Sequence, residues 1–191
     1  MSKFGKTLAE SAAELKKLRV LTACAVLGAM GMALKSASID IGPTVSIGFS
    51  GLPNQIVDML FGSVTGAAFA AVMDVLKYFM KPTGPFHFGF TFDAMLAAFI
   101  YGCFYYKKPV RFWRVLTAKA IIEVVVNLGL ATYWHSQLYG KAFYVMFAER
   151  AGWSLLVSWP LNTAVFYIVA KGLEKAGVFK MVRKAGWIRR D

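Results

Sequence analysis

The chain is 191 residues long, 58% hydrophobic and only 17% charged, and lysine and arginine outnumber the acids 22 to 10. Soluble domains carry about a quarter charged residues, and nucleic-acid binders are not assembled from long apolar blocks. The composition therefore excludes both classes and leaves a membrane protein whose basic segments face anionic lipid.

In chain order, residues 1–19 form a basic, polar N-terminal tail. Within it Leu8, Ala12 and Leu15 recur at helical spacing and allow a short surface helix. A first apolar span runs over residues 20–34, short of the roughly 20 residues that cross a bilayer. Asp40, Gly42 and Pro43 then mark a loop, in which Thr44-Val45-Ser46-Ile47 alternates like an extended piece. Two spans, 51–61 and 63–80, are separated at Phe61-Gly62-Ser63. The segment Lys81 to Phe90 cannot continue a helix, because Pro82 and Pro85 block it. A fourth span covers 90–105, and Lys107, Lys108, Arg111 and Arg114 make a basic hairpin around Pro109. A fifth span, 115–131, leads to a second aromatic loop, Thr132 to Gly140, and a sixth span covers 143–170. The expected fold class is an all-α membrane protein, a six-transmembrane-helix bundle. Its membrane domain, 20–172, lies between basic tails at 1–19 and 173–191.

Six crossings place both termini on one side. Sixteen of the 22 lysines and arginines fall in residues 1–19, 107–114 and 171–191, all on that side, so the positive-inside rule makes it cytoplasmic. The segments 35–49, 81–90 and 132–142 then emerge together outside as structured extracellular loops. Two of them are rich in rings, which points to a site for a flat organic molecule.

Charges inside apolar spans cost about 2.5–3.5 kcal/mol at a helix centre, so they pair or face a cavity. Lys119 and Glu123 share a helical face and read as a mutually satisfied pair; Asp74 and Lys77 read the same way. Asp93 and Arg150 lie just inside spans next to the outer loops, where they serve a cavity or bridge each other. The rings Phe86, Phe88, Phe90, Tyr133, Trp134 and Tyr139, with His87, His135 and Gln137, are either interfacial belt residues or a stacking site. Two histidines at this spacing make a poor metal site. Cys24 and Cys103, with no CxxC spacing, read as packing residues. On α-helical spacing Ala25, Ala29 and Ala33 form a small-residue face suited to close helix approach, either inside the bundle or against a partner. The chain has no GxxxxGK[ST], HExxH or GxSxG motif, so it offers no nucleotide-hydrolysing or catalytic constellation and calls for no cofactor.

Several blocks carry a resemblance over residues 20–172: Ser46-Ile47-Gly48-Phe49, Leu60-Phe61-Gly62, Pro82-Thr83-Gly84-Pro85-Phe86 with Gly89-Phe90-Thr91, Ile100-Tyr101-Gly102, and Tyr133-Trp134 through Leu138-Tyr139-Gly140-Lys141-Ala142-Phe143. In this order they resemble an S component, the substrate-binding subunit of an energy-coupling-factor vitamin transporter, and most of all its folate branch. The resemblance implies a prokaryotic multi-pass cell-membrane receptor that is not an enzyme. It would capture a vitamin from outside and dock on a transmembrane coupling subunit driven by two separate ATPases. The face Ala25, Ala29, Ala33 matches the family's docking motif. A folate-like ligand would find its pterin stacked and hydrogen-bonded by Phe88, Trp134 and Gln137, and its carboxylates met by Lys35, Lys81 or Arg150. Thr83, Phe86, His87, Phe90, Asp93, Tyr133 and His135 complete the expected site. The sequence departs from the folate branch in two places: Ser50-Gly51-Leu52-Pro53 replaces a compact Ile/Leu-Pro-Ile run, and Arg150-Ala151-Gly152-Trp153-Ser154 keeps the Arg of an Arg-x-x-Lys-Asn pattern without its Lys-Asn.

Three other readings stay open at this point. The ligand could be another flat vitamin or precursor, such as cobalamin or a queuosine precursor. The chain could be a small membrane assembly subunit with no ligand. It could also be a membrane-embedded enzyme using Asp58, Asp74 and Asp93 as converging acids.

Overall fold

The computed structural model describes residues 3–40, 46–82 and 84–184. The described chain is helical apart from one short antiparallel pairing. Helix α1 (Lys3–Glu14) is followed by α2 (Leu18–Ser36), then strands β1 (Ile39–Asp40) and β2 (Ser46–Ile47), which pair Ile39 with Ile47 and Asp40 with Ser46. Next come α3 (Leu52–Phe61), α4 (Ser63–Met80) and α5 (Phe88–Tyr105). A continuous helical stretch, Phe112–Tyr139, contains α6 (Phe112–Ile122), a π-helical segment Glu123–Leu130, and α7 (Ala131–Tyr139). A second, Phe143–Lys175, contains α8 (Phe143–Trp153), a π-helical segment Ser154–Ser158, and α9 (Trp159–Lys175). Helix α10 (Val178–Lys184) ends the described chain.

Five of these helical stretches, beginning at Leu18, Ser63, Phe88, Phe112 and Phe143, are long and apolar enough to cross a membrane. Helix α3 is not: its ten residues span about 15 Å. Glycines set its limits, with Gly51 before it and Gly62 after it, and Pro53 sits in its first turn, where a missing N–H costs nothing. Gly62 has φ 88° and ψ −175°, a conformation open only to glycine, so α3 and α4 meet at a sharp joint and not as one helix.

The reading of residues 132–140 as a second loop is corrected. They continue the preceding helix to Tyr139, and the chain turns only at Gly140, whose φ of 63° gives a left-handed cap. Thr132, Tyr133, Trp134 and His135 are weak helix formers but not breakers, and no glycine or proline precedes Gly140 in this stretch.

In lipid, helix association rests on close packing and polar contacts. Helices α4 and α5 meet along Ala70, Ala98 and Gly102, all buried; a side chain at Gly102 would collide with the backbone of Ser63. Gly28 of α2 faces Met73 and Phe69 of α4. One apolar core gathers Met59, Tyr101, Tyr105, Ile122 and Phe166; a second gathers Val20, Val57, Phe61, Tyr106 and Val182.

Helix α1 is built into the bundle at the α3–α4 joint. The buried Ser11 hydroxyl donates to the Phe61 carbonyl at 2.8 Å and accepts from the Val64 and Thr65 amides at 3.0 and 3.2 Å. Thr65 donates back to the Ser11 carbonyl at 2.6 Å. Gly62 has no side chain to cap α4, so a serine about fifty positions earlier performs the N-cap role. Lys107, in the turn after α5, adds an ion pair to Glu10 of α1 at 3.0 Å.

Candidate functional site

A hollow of about 380 Å³ opens where α2, α4, α5 and α7 approach the turn after α4. This is within the size range of small-molecule pockets. Among the described residues its cations are Lys35 at the end of α2, Lys77 in the last turn of α4, and Lys81 just beyond, and its carboxylate is Asp74. Its aromatic wall is made by Tyr78, Phe86, His87, Phe90, His135 and Tyr139. The rings support one another: Tyr78 meets Phe86 edge-on at 5.0 Å, Phe90 meets His135 at 4.7 Å, and His135 stacks on Tyr139 at 6.1 Å.

Local structure explains this arrangement. After Met80 the prolines stop α4, and α5 restarts at Phe88 with His87 as its N-cap, its Nδ1 accepting from the Gly89 amide at 3.0 Å. That fixes the turn across the mouth of the hollow. Gly89 is required there, because a Cβ would strike the Trp134 indole at 2.5 Å. Lys77 donates to the Ser50 carbonyl at 2.7 Å and to Asn54 Oδ1 at 3.2 Å, tying α4 to the start of α3. Lys81 donates to the Ser38 carbonyl at 2.6 Å, tying the turn to the segment after α2.

Of the residues expected from sequence, Lys35, Lys81, Phe86, His87, Phe90 and His135 line this hollow. Thr83 lies outside the described residues. Phe88 is 79% exposed and touches Phe86 from outside. Trp134 does not line the hollow; it packs beside His87 at 5.2 Å and donates from its indole to Asp93 at 3.2 Å. Tyr133 and Gln137 bond each other on the exposed side of α7 at 2.8 Å. His135 Nδ1 donates to the Ala131 carbonyl at 2.6 Å, and the Arg150 guanidinium lies against the same ring, behind a lining residue. Sequence reasoning passed over Ser50, Asn54 and Tyr78, and read Asp74 and Lys77 as a pair.

The pairings read from spacing are corrected. Asp74 accepts from Thr91 at 2.7 Å while Lys77 bonds Ser50 and Asn54, because both partners on neighbouring elements come closer than the next turn of α4. Glu123 accepts from Asn127 at 2.7 Å and from the Ser154 hydroxyl, and the Lys119 ammonium lies 5.3 Å over both the Tyr101 and Phe166 rings. Asp93 and Arg150 do not bridge; each has a different partner. Nor do Asp58, Asp74 and Asp93 converge: Asp74 lines this hollow, Asp58 lines another, and Asp93 is tied to Trp134. The three acids therefore do not form the centre that the enzyme reading requires.

The second hollow, about 250 Å³, lies farther from the turn after α4, and the two share Asn54, Ala70 and Ala94 as common wall. Its lining is polar for a membrane interior: Gln55, Asp58, Lys119, Glu123, Asn127, Ser158 and Asn162 all reach it. Both π-helical segments border it, one through Glu123 and Asn127, the other through Ser158. Such local widening of a helix is common at functional sites.

Fold and hollows together define a helical membrane protein with a solute-sized chamber. Residues 19–180 match the family model described as the substrate-specific component of ECF transporters, and the chain belongs to that family. Among its relatives, a folate transporter FolT of Clostridium novyi (strain NT) is 36% identical over 142 residues, covering 74% of this chain and 82% of the relative. A folate transporter FolT of Leuconostoc mesenteroides subsp. mesenteroides is 28% identical over 152 residues, covering 75% and 82%. In structure the chain is similar to FolT bound with folic acid, with a TM-score of 0.74 at 26% identity, over 82% of this chain and 95% of that one.

Proposed function

We propose that this chain is the S component that captures folate for an energy-coupling-factor importer. The observation that carries the ligand is the first hollow: among the described residues three lysines against one aspartate, walled by aromatic rings, suit a flat molecule that ends in carboxylates. The two FolT relatives and the folic-acid-bound structure support the same ligand.

In this reading the chain crosses the cell membrane six times, and the ten-residue α3 belongs to one of the crossings. Both termini are then cytoplasmic, and the turn after α4 covers the vitamin from outside. Helix α2 carries two small-residue faces. Gly28 and Gly31 face inward, while Ala25, Ala29 and Ala33 are exposed and free to seat a transmembrane coupling subunit. ATP hydrolysis belongs to two partner subunits, and this chain acts as receptor, not enzyme.

Titration of the purified protein with folic acid tests the ligand. Tight one-to-one binding that weakens when Lys35 and Lys81 are both replaced by methionine is the expected result. Tight binding of cobalamin or a queuosine precursor in place of folic acid would overturn the ligand assignment.

A further inference from the structure

The turn across the first hollow is held by a side chain in one chemical state. His87 is the N-cap of α5, and its Nδ1 accepts from the Gly89 amide at 3.0 Å. An imidazole nitrogen accepts a hydrogen bond only when it carries no proton, so this cap requires the neutral ring with its hydrogen on Nε2. Gly89 is buried, and its amide is one of the donors that the first turn of a helix leaves without an intrahelical partner. Two rings fix the imidazole in place. The Trp134 indole lies beside it at 5.2 Å, itself held by its bond to Asp93, and Phe90 meets it edge-on at 6.0 Å.

Histidine is the side chain that ordinarily gains a proton between about pH 8 and pH 5. A proton on Nδ1 turns the acceptor into a second donor facing the Gly89 N–H, and sets a positive charge at the positive end of a helix. The indole accommodates a cation at its side, but it restores no acceptor to the amide. Gly84, Pro85, Phe86 and His87 belong to the turn and line the hollow, so whatever loosens the cap loosens the cover. Taking its ligand from the folate reading above, we propose that His87 is a positioning residue whose neutral form holds the turn for the ligand, so that binding weakens as the pH falls. Charge alone predicts the opposite sign. Lys35, Asp74, Lys77, Lys81 and His135 share the hollow with His87, while Asp93 lies behind Trp134 and Arg150 behind His135. A further cation among these lysines would attract a carboxylate ligand more strongly. That attraction acts across an open hollow and is screened by solvent and salt, whereas the cap is a direct bond. The cap therefore decides the sign.

The test titrates folic acid into the full-length wild type, His87→Asn and His135→Asn from about pH 8 to about pH 5.5. These are the chain's two histidines, and asparagine keeps an N-cap acceptor that takes up no proton in this range. Wild type should bind about three- to thirtyfold more weakly at the acid end, the span for loss of a helix N-cap. Each protein is read as the ratio of its own affinities at the two ends, so titration of the ligand or of Asp93 is common to all three. His135→Asn should keep the wild-type ratio, and His87→Asn should lose most of it. A flat profile in wild type, tighter binding at the acid end, or an unchanged ratio in His87→Asn would each overturn the proposal. Should His87→Asn not fold, His135→Asn decides, because His87 is then its sole histidine: a retained slope upholds the proposal and a flat one overturns it. Absence of folic acid binding at every pH would overturn the folate reading together with this one.

Discussion

The α3–α4 joint and the two hollows handle buried polar groups in opposite ways. At the α3–α4 joint, the chain matches them itself: the Ser11 hydroxyl and carbonyl together serve the Phe61 carbonyl, the Val64 and Thr65 amides and the Thr65 hydroxyl. Around the first hollow lysines gather at open space, and in the second, within one turn of α3 from the joint, the buried Asp58 has no hydrogen-bond partner among the described residues. Polar groups in a membrane interior are expensive wherever they sit. The joint therefore supplies folding stability, and the hollows hold interaction free energy in reserve for a ligand.

Substitutions at the joint and at the hollows should separate these two quantities. The largest effect is expected from Gly102→Val, which drives a side chain into the Ser63 backbone beside the joint. It should cost about 3 kcal/mol of stability by overpacking, seen as a lowered Tm in detergent. Recovery of wild-type Tm would show that α4 and α5 are not held at the spacing described. Next, Lys77→Met at the first hollow should weaken folic acid binding by about 1.5–3 kcal/mol, roughly ten- to hundredfold, through loss of a charged donor. The same titration on a variant with unchanged affinity would remove Lys77 from the ligand's surroundings. Ser11→Ala should then cost about 1–2 kcal/mol, as the loss of a helix cap does, while leaving folic acid affinity within about twofold. A large affinity loss there would mean that the joint and the hollows are coupled and the contrast drawn above is false. Smallest of all, Phe88→Ala should change stability by less than about 0.5 kcal/mol and leave binding unaltered, since this ring is exposed.

Much of the fold was legible because membrane helices announce themselves by long apolar runs and their ends by glycine, proline and basic clusters. Gly62, Pro82 and Pro85 marked the joint and the turn correctly in sequence. The extension of helix through Thr132 to Tyr139 was hidden because polar and aromatic residues are equally at home in loops and at helix ends. The site was half legible for a related reason. Rings and lysines beside Pro82 could be nominated from type and place alone, and Lys35, Lys81, Phe86, His87, Phe90 and His135 do line the hollow. What no spacing rule shows is which neighbour a charge will choose. Lys77 turned to Ser50 and Asn54, 27 and 23 positions away, over an acid one turn back on its own helix. The two π-helical segments left no sequence mark at all, yet they border the second hollow with Glu123, Asn127 and Ser158.

The long-range cap at the joint also bears on how the protein is made. Ser11 emerges from the ribosome well before Phe61, Val64 and Thr65 exist, 50 to 54 positions later. During synthesis α1 cannot complete these contacts until the first turn of α4 has been made. A purification tag or fusion partner placed tightly against the start of α1 would burden that late docking step, whereas one appended after α10 would not.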